Sequence, residues 1–199
     1  MPETAVTSSG FLLYSPKSPY TKQCNFRSTA VKQIQGRGSL NDWWIHKGRI
    51  SASGNPTDKE LEDLRGQGFA AVISLLDEQQ QKLRYNVADA ERAGWVRHVL
   101  PIREGEAPSL DQLERFRKII QALPPNAKVL IHCSTGRGRA ATFGAAYWIV
   151  KGSSATEAIK CIEEANYQDW ETPERRVVLG EFAEHRNREA QRSEKGAMT

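Results

Sequence analysis

Cysteine is scarce in this chain of 199 residues, which holds only Cys24, Cys133 and Cys161. Three scattered cysteines make no disulfide framework. None forms a Cys-x-x-Cys pair, which argues against a zinc site or a dithiol redox motif. Cysteine usage of this kind fits a reducing compartment. No apolar run approaches the roughly 18 residues that would span a bilayer. The opening MPETAVTSSG lacks a basic region followed by an apolar core, so no secretory signal is expected. The closing EKGAMT carries no prenylation box. Together these absences predict a soluble, cytoplasmic protein without metal or cofactor. Neither sign of charge dominates: the formal net charge is +4, which suits an anionic substrate and equally suits ordinary solubility. The five tryptophans fit core or edge positions and form no stacking platform, so no nucleic acid partner is expected.

With 39% hydrophobic residues, the chain can bury one core of ordinary size. Residues 1–36 are rich in Ser, Thr, Pro and Gly and read as a poorly structured arm, unless Phe11-Leu12-Leu13-Tyr14 docks on the domain. Residues 37–187 read as one domain, and residues 188–199 as a polar C-terminal tail that frays. Within the domain, strand-like and helix-like segments alternate. Trp43-Trp44-Ile45 and Arg49-Ile50-Ser51 are short strands around Lys47-Gly48. Thr57 with Glu60, Ser109 with Gln112, and Ser154 with Glu157 are capping boxes that open helices. Leu83, Val87 and Ala90 repeat at helical spacing. Ala71 to Leu76, Trp95 to Leu100 and Val129 to Ile131 are apolar strands. Ala140 to Val150 is apolar nearly all round, the mark of a buried central helix. Thr172 and Pro173 start the last helix. This order predicts an α/β fold: a single domain with a short, mostly parallel central sheet flanked by helices.

The segment His132-Cys133-Ser134-Thr135-Gly136-Arg137-Gly138-Arg139 joins an apolar strand to an apolar helix. A loop entering a helix points backbone N–H groups into one concavity, where the helix dipole favours negative charge. Gly136 and Gly138 are read as supplying the backbone angles that wrap a tetrahedral anion. Such a nest binds phosphate through Ser134, Thr135, Gly136, Arg137, Gly138 and Arg139. It also favours a thiolate over a thiol, which makes Cys133 a nucleophile. Arg139 returns to the concavity one turn later, and its planar fork suits two phosphate oxygens. Cys24 and Cys161, with no such setting, read as small hydrophobes.

A cysteine, five residues and an arginine, with histidine in front, resembles the active-site motif of the protein tyrosine phosphatase superfamily. The flanks WWIHKGRISASGNPT, VLPIREGEAPSLDQL and ETPER resemble its atypical dual-specificity branch, and the likeness runs over about residues 41–186. The resemblance implies the cysteine phosphatase fold and hydrolysis of phosphomonoesters through a cysteinyl-phosphate. The substrate is then a protein phosphorylated on serine, threonine or tyrosine, or alternatively a phosphoinositide or other small polyphosphate. A catalytically weak phosphate-binding module is the third reading. The resemblance also implies a general acid upstream, usually Asp, and here the matching place holds Glu104. Glu106 is its rival and Asp77 a third candidate, and the two glutamates also read as mere solvated loop charges. His132 is implied as support for the loop. Arg137 stands where phosphoinositide phosphatases often place Lys; it contacts a further phosphate or simply faces solvent. After Arg139 most members carry a hydroxyl that helps the sulfur leave. This chain has Ala140, so a long-lived intermediate and modest turnover are expected.

Overall fold

The computed structural model describes residues 42–165 and 170–197. In chain order these form β1 (Trp43–His46), β2 (Ile50–Ser53), α1 (Asp58–Gly66), β3 (Phe69–Leu76), α2 (Val87–Arg92), β4 (Val96–Ile102), α3 (Leu110–Ala122), β5 (Lys128–His132), α4 (Gly138–Val150), α5 (Ala155–Glu164) and α6 (Pro173–Ala197). The strands make one sheet in the order β1-β2-β5-β3-β4. Only the β1–β2 pair is antiparallel. Fully parallel inner strands are covered on both faces and therefore read as unbroken apolar runs. Six consecutive residues of β3, Ala71 to Leu76, are buried, as are Val129, Leu130 and Ile131 of β5. Each Val, Leu or Ile so buried contributes about 1.5–3 kcal/mol.

Side chains alternate across the sheet. Val129 and Ile131 join Leu113, Phe116, Phe143, Tyr147 and Leu179 in a large core under α3, α4, α5 and α6. Leu130 points the other way, into a smaller core with Leu61, Leu64, Tyr85 and Trp95 under α1 and α2. The result is an α/β domain with helices on both faces, as the sequence pattern implies. All three capping boxes are present: at each, the Ser or Thr oxygen accepts from the backbone N–H three residues on, and the Glu or Gln side chain there accepts from the cap's backbone N–H.

Three boundaries differ from the sequence reading. Leu83 is not helical: Asn86 caps α2, its Oδ1 accepting from Asp89 N at 3.1 Å. β4 runs on through Pro101 to Ile102, which pairs with Leu76. Proline is tolerated there because β4 is an edge strand and no ladder partner needs its missing N–H. Finally, α6 continues past residue 187 through polar residues to Ala197. On this stretch Glu189 pairs with Arg186 and lies 3.9 Å from Arg117 of α3, while His185 Nδ1 lies 3.2 Å from Glu114. The arm of residues 1–36, including the apolar stretch from residue 11 to 14, lies outside the described residues. Among the described residues no helix is long and apolar enough to cross a membrane.

Candidate active site

β5 ends at His132, and the next residues leave the sheet at the carboxyl end of a central strand, where open α/β sheets collect ligands. Cys133 N donates to Ser53 O and Asn55 N donates to Ser134 O, both at 3.2 Å, so the loop leaves β5 against the end of β2. Gly54 allows that approach: a Cβ there would lie 3.3 Å from Ser134 O. Gly136 has φ +75°, a left-handed conformation that a side chain would strain. Its carbonyl accepts from Trp43 Nε1 at 2.9 Å, which pins the turn to β1. Gly138 is glycine for another reason than the one read from the sequence. Its φ is not positive, but a Cβ there would meet the Arg175 guanidinium at 2.8 Å. What a side chain here would contest is space, held by the movable end of Arg175, rather than backbone angle.

α4 begins without a side-chain cap. Its first N–H groups therefore have no partner of the usual kind and are available to an anion. Cys133 is 1% exposed and Arg139 3%. Arg139 reaches back across the loop: Nη1 donates to Ile102 O (2.9 Å) and Gln81 Oε1 (2.7 Å), and Nη2 to Ser134 Oγ (2.8 Å). Ser134 Oγ in turn donates to Glu104 Oε1 at 3.1 Å, and Gln81 Nε2 donates to Glu104 Oε2 at 2.8 Å. Glu104 Oε1 lies 3.9 Å from Arg139 Nη2.

The structure thus gathers Arg139 and Glu104 around Ser134, the residue that follows Cys133. It does not gather Glu106, which is exposed and lies 4.0 Å from Arg103. Asp77 is spent on a local turn, its Oδ1 accepting from Gln79 N at 3.2 Å. Both face a cleft of about 530 Å³ that also includes Glu78 and Gln112 but neither Cys133 nor Arg139. Thr135 and Arg137 are exposed on the loop. Among the described residues no hydrogen bond or ion pair engages the Arg137 side chain.

His132 is fully buried. Its Nε2 lies 3.3 Å from Tyr85 Oη, which accepts from Arg97 Nε at 3.2 Å, and Arg97 also pairs with Glu78. Burial, with the Arg97 charge adding to it, pushes the His132 pKa down to about 3 from 6.5. The ring is neutral. Below pH 6.5 the unfolded chain takes up a proton here that the folded chain refuses until about pH 3. Stability therefore falls as pH falls through that window, by about 1.4 kcal/mol per unit from this group. Chemical denaturation at pH 6 and pH 4 should show His132→Asn losing about 2–3 kcal/mol less than the native chain. Equal losses would remove His132 as the cause. His46 and His98, also lowered by burial, act alike in both proteins.

Four neighbours of the site escaped the sequence reading. Gln81 sits in a glutamine run without pattern, and Trp43 and Tyr85 lie 93 and 47 residues from their loop partners. Trp43 and Arg175 had a signal, since they open the WWIHKGRISASGNPT stretch and close the ETPER stretch.

Comparison with known proteins places this arrangement. A family model described as "Polymorphic toxin system, DSP-PTPase phosphatase" matches residues 48–153, which carry β2 through α4. The structure of Tk-PTP in its active form is 32% identical, with a TM-score of 0.60 over 71% of this chain and 95% of that one. PTPMT1, solved in complex with PI(5)P, is 22% identical with a TM-score of 0.66, covering 75% of this chain and 98% of its own. Human DUSP28 is 17% identical with a TM-score of 0.58, covering 76% and 97%. The last two bear on the fold alone. No curated protein sequence matches. A family model over more than half the chain and a 32% identical structure make this chain an atypical dual-specificity-like phosphatase of the protein tyrosine phosphatase superfamily.

Proposed function

We propose that the chain hydrolyses phosphate monoesters on proteins, with Cys133 as nucleophile, Arg139 as the phosphate grip and Glu104 as general acid. One observation supports this above the others. A single hydroxyl, Ser134 Oγ, receives Arg139 Nη2 and donates to Glu104 Oε1. Guanidinium and carboxylate therefore converge on the residue that follows the cysteine. An entering phosphate takes the place of the serine and Gln81 as the partner of Arg139, and the free N–H groups at the start of α4 receive its remaining oxygens. The Cys133 thiolate attacks phosphorus, an S–P bond forms, and the ester oxygen departs with the proton of Glu104. Water then attacks phosphorus, gives its proton to the Glu104 carboxylate, and the S–P bond breaks to release phosphate and thiolate. Ala140, fully buried, offers no hydroxyl to the departing sulfur, so the second step is the slow one.

Glu104→Gln tests the acid. Because breakdown of the cysteinyl-phosphate limits kcat, the acid is read in the first step: burst-phase formation of the phosphoenzyme, and kcat/KM with it, should fall about 10²-fold in the variant. If Glu106→Gln produces this change instead, the assignment moves to Glu106.

Arg137 favours a second reading. It is an exposed cation on the loop without a partner among the described residues, and one structural neighbour was solved with PI(5)P. A phosphoinositide headgroup would offer it a second phosphate. Initial rates on phosphopeptides and on phosphoinositides separate the two readings. Faster hydrolysis of phosphopeptides, unaffected by Arg137→Ala, supports a protein substrate. A preference for phosphoinositides that disappears in Arg137→Ala supports the lipid. A phosphorylated Cys133 that never turns over on either would make the chain a phosphate-binding module.

A further inference from the structure

The glycine before Arg139 leads to a group that the mechanism above does not use. A Cβ built on Gly138 would lie 2.8 Å from Nη1, 3.0 Å from Nη2 and 3.1 Å from Cζ of Arg175. The guanidinium therefore lies against the first residue of α4, where the loop enters the helix. It is 7% exposed. The start of α6 delivers it there: Thr172 Oγ1 accepts from Arg175 N at 3.4 Å, and Nη1 is tethered to Trp170 O at 2.5 Å. Its Nε is buried with no hydrogen-bond partner, and no carboxylate forms an ion pair with it among the described residues. A buried cation without an anion is destabilising by several kcal/mol. Burial does act to lower the Arg175 pKa; the charge of Cys133, and after it that of the neighbouring Glu174, opposes this, while Arg139 adds to it. Glu174 is exposed to solvent, so the negative charge on the buried side of Arg175 is the thiolate, or an oxyanion bound in front of it.

We propose that Arg175 is a positioning residue for the site, a second guanidinium braced behind the loop that holds Cys133 in its reactive, ionised form. Arg139 grips the substrate, whereas Arg175 acts through the thiolate and the start of α4. The inference rests on Cys133 being the nucleophile. It also explains Gly138, since any side chain there would displace the guanidinium.

The test measures the rate at which iodoacetamide alkylates Cys133 in the full chain across a pH range, beside turnover of para-nitrophenyl phosphate. The charged groups around the loop are Arg139 from α4 and Glu104, both on Ser134 Oγ, and Arg175 from α6 against Gly138 with Glu174 beside it; His132 at the end of β5 is neutral. Only Arg175 is altered. In Arg175→Met, alkylation near neutral pH should slow about tenfold and its pH profile should move to higher pH. Arg175→Lys, which keeps the charge, should stay within about threefold of the native rate. An unchanged rate and profile in Arg175→Met would overturn the proposal. So would an equal loss in the Lys and Met variants. Should the Met variant fail to fold, Gly138→Ala displaces the guanidinium by its methyl group alone and must slow alkylation in the same way; a native rate there would also overturn the proposal. Turnover retained in Cys133→Ser would instead sink the nucleophile assignment, whatever the Arg175 variants do.

Discussion

Cys133→Ser should lower kcat by at least about 10⁴-fold, while the affinity for inorganic phosphate stays within about threefold. The loss of rate follows from what surrounds the residue. A serine hydroxyl needs a general base to become a nucleophile, and none is placed for it. His132 is the adjacent imidazole, but its Nε2 faces Tyr85 and its pKa is pushed down to about 3. Glu104 is engaged by Ser134 and Gln81. A factor of 10⁴ corresponds to about 5.5 kcal/mol in the barrier. Binding survives because the groups that hold the anion are elsewhere. They are the uncapped start of α4, the loop turn fixed by Gly136, and the Arg139 fork. Single-turnover kinetics and calorimetric titration with phosphate check both halves. Residual activity above about 1% would mean that another group attacks phosphorus.

The parts of this molecule that were legible in the sequence are those whose physics is local. A capping box needs only residues three apart, and all three are formed. The β5–loop–α4 unit was legible because strand, turn and buried helix follow one another without a gap. Glu104 is the clearest case of a reading that coordinates sharpen: the resemblance puts Glu104 in the acid's place with Glu106 as its rival, and Ser134 Oγ donates to Glu104. The rest was hidden because its cause lies far along the chain. Trp43 braces Gly136, Gln81 bridges Arg139 and Glu104, and Arg175 fills the space that a Gly138 side chain would take. Such partners leave no periodicity or spacing to read. Gly138 shows the consequence, since a glycine in a loop invites a conformational explanation when the constraint here is steric.

Arg139→Met should lower kcat/KM by about 10³-fold with little change in thermal stability. Arg139 is 3% exposed, yet its one carboxylate neighbour, Glu104, lies 3.9 Å away with a side chain 65% exposed to solvent. A cation so placed has given up most of its hydration without a close counter-ion, so its burial contributes little to folding. Its three hydrogen bonds, to Gln81, Ile102 and Ser134, offset part of that penalty. Replacing the guanidinium by an apolar chain of similar length removes the penalty together with the bonds, and the two changes are of similar size. Function does not share this balance. A phosphoryl group in transfer carries charge on its equatorial oxygens, and the planar fork meets two of them at once. Arg139→Lys should therefore rescue less than about tenfold, because an ammonium is a point charge without that geometry. Steady-state kinetics and a thermal melt on the same preparation decide the matter. A melting temperature lowered by more than about 8 °C, with activity lost only in proportion to unfolding, would make Arg139 a structural residue of the loop rather than the grip on the substrate.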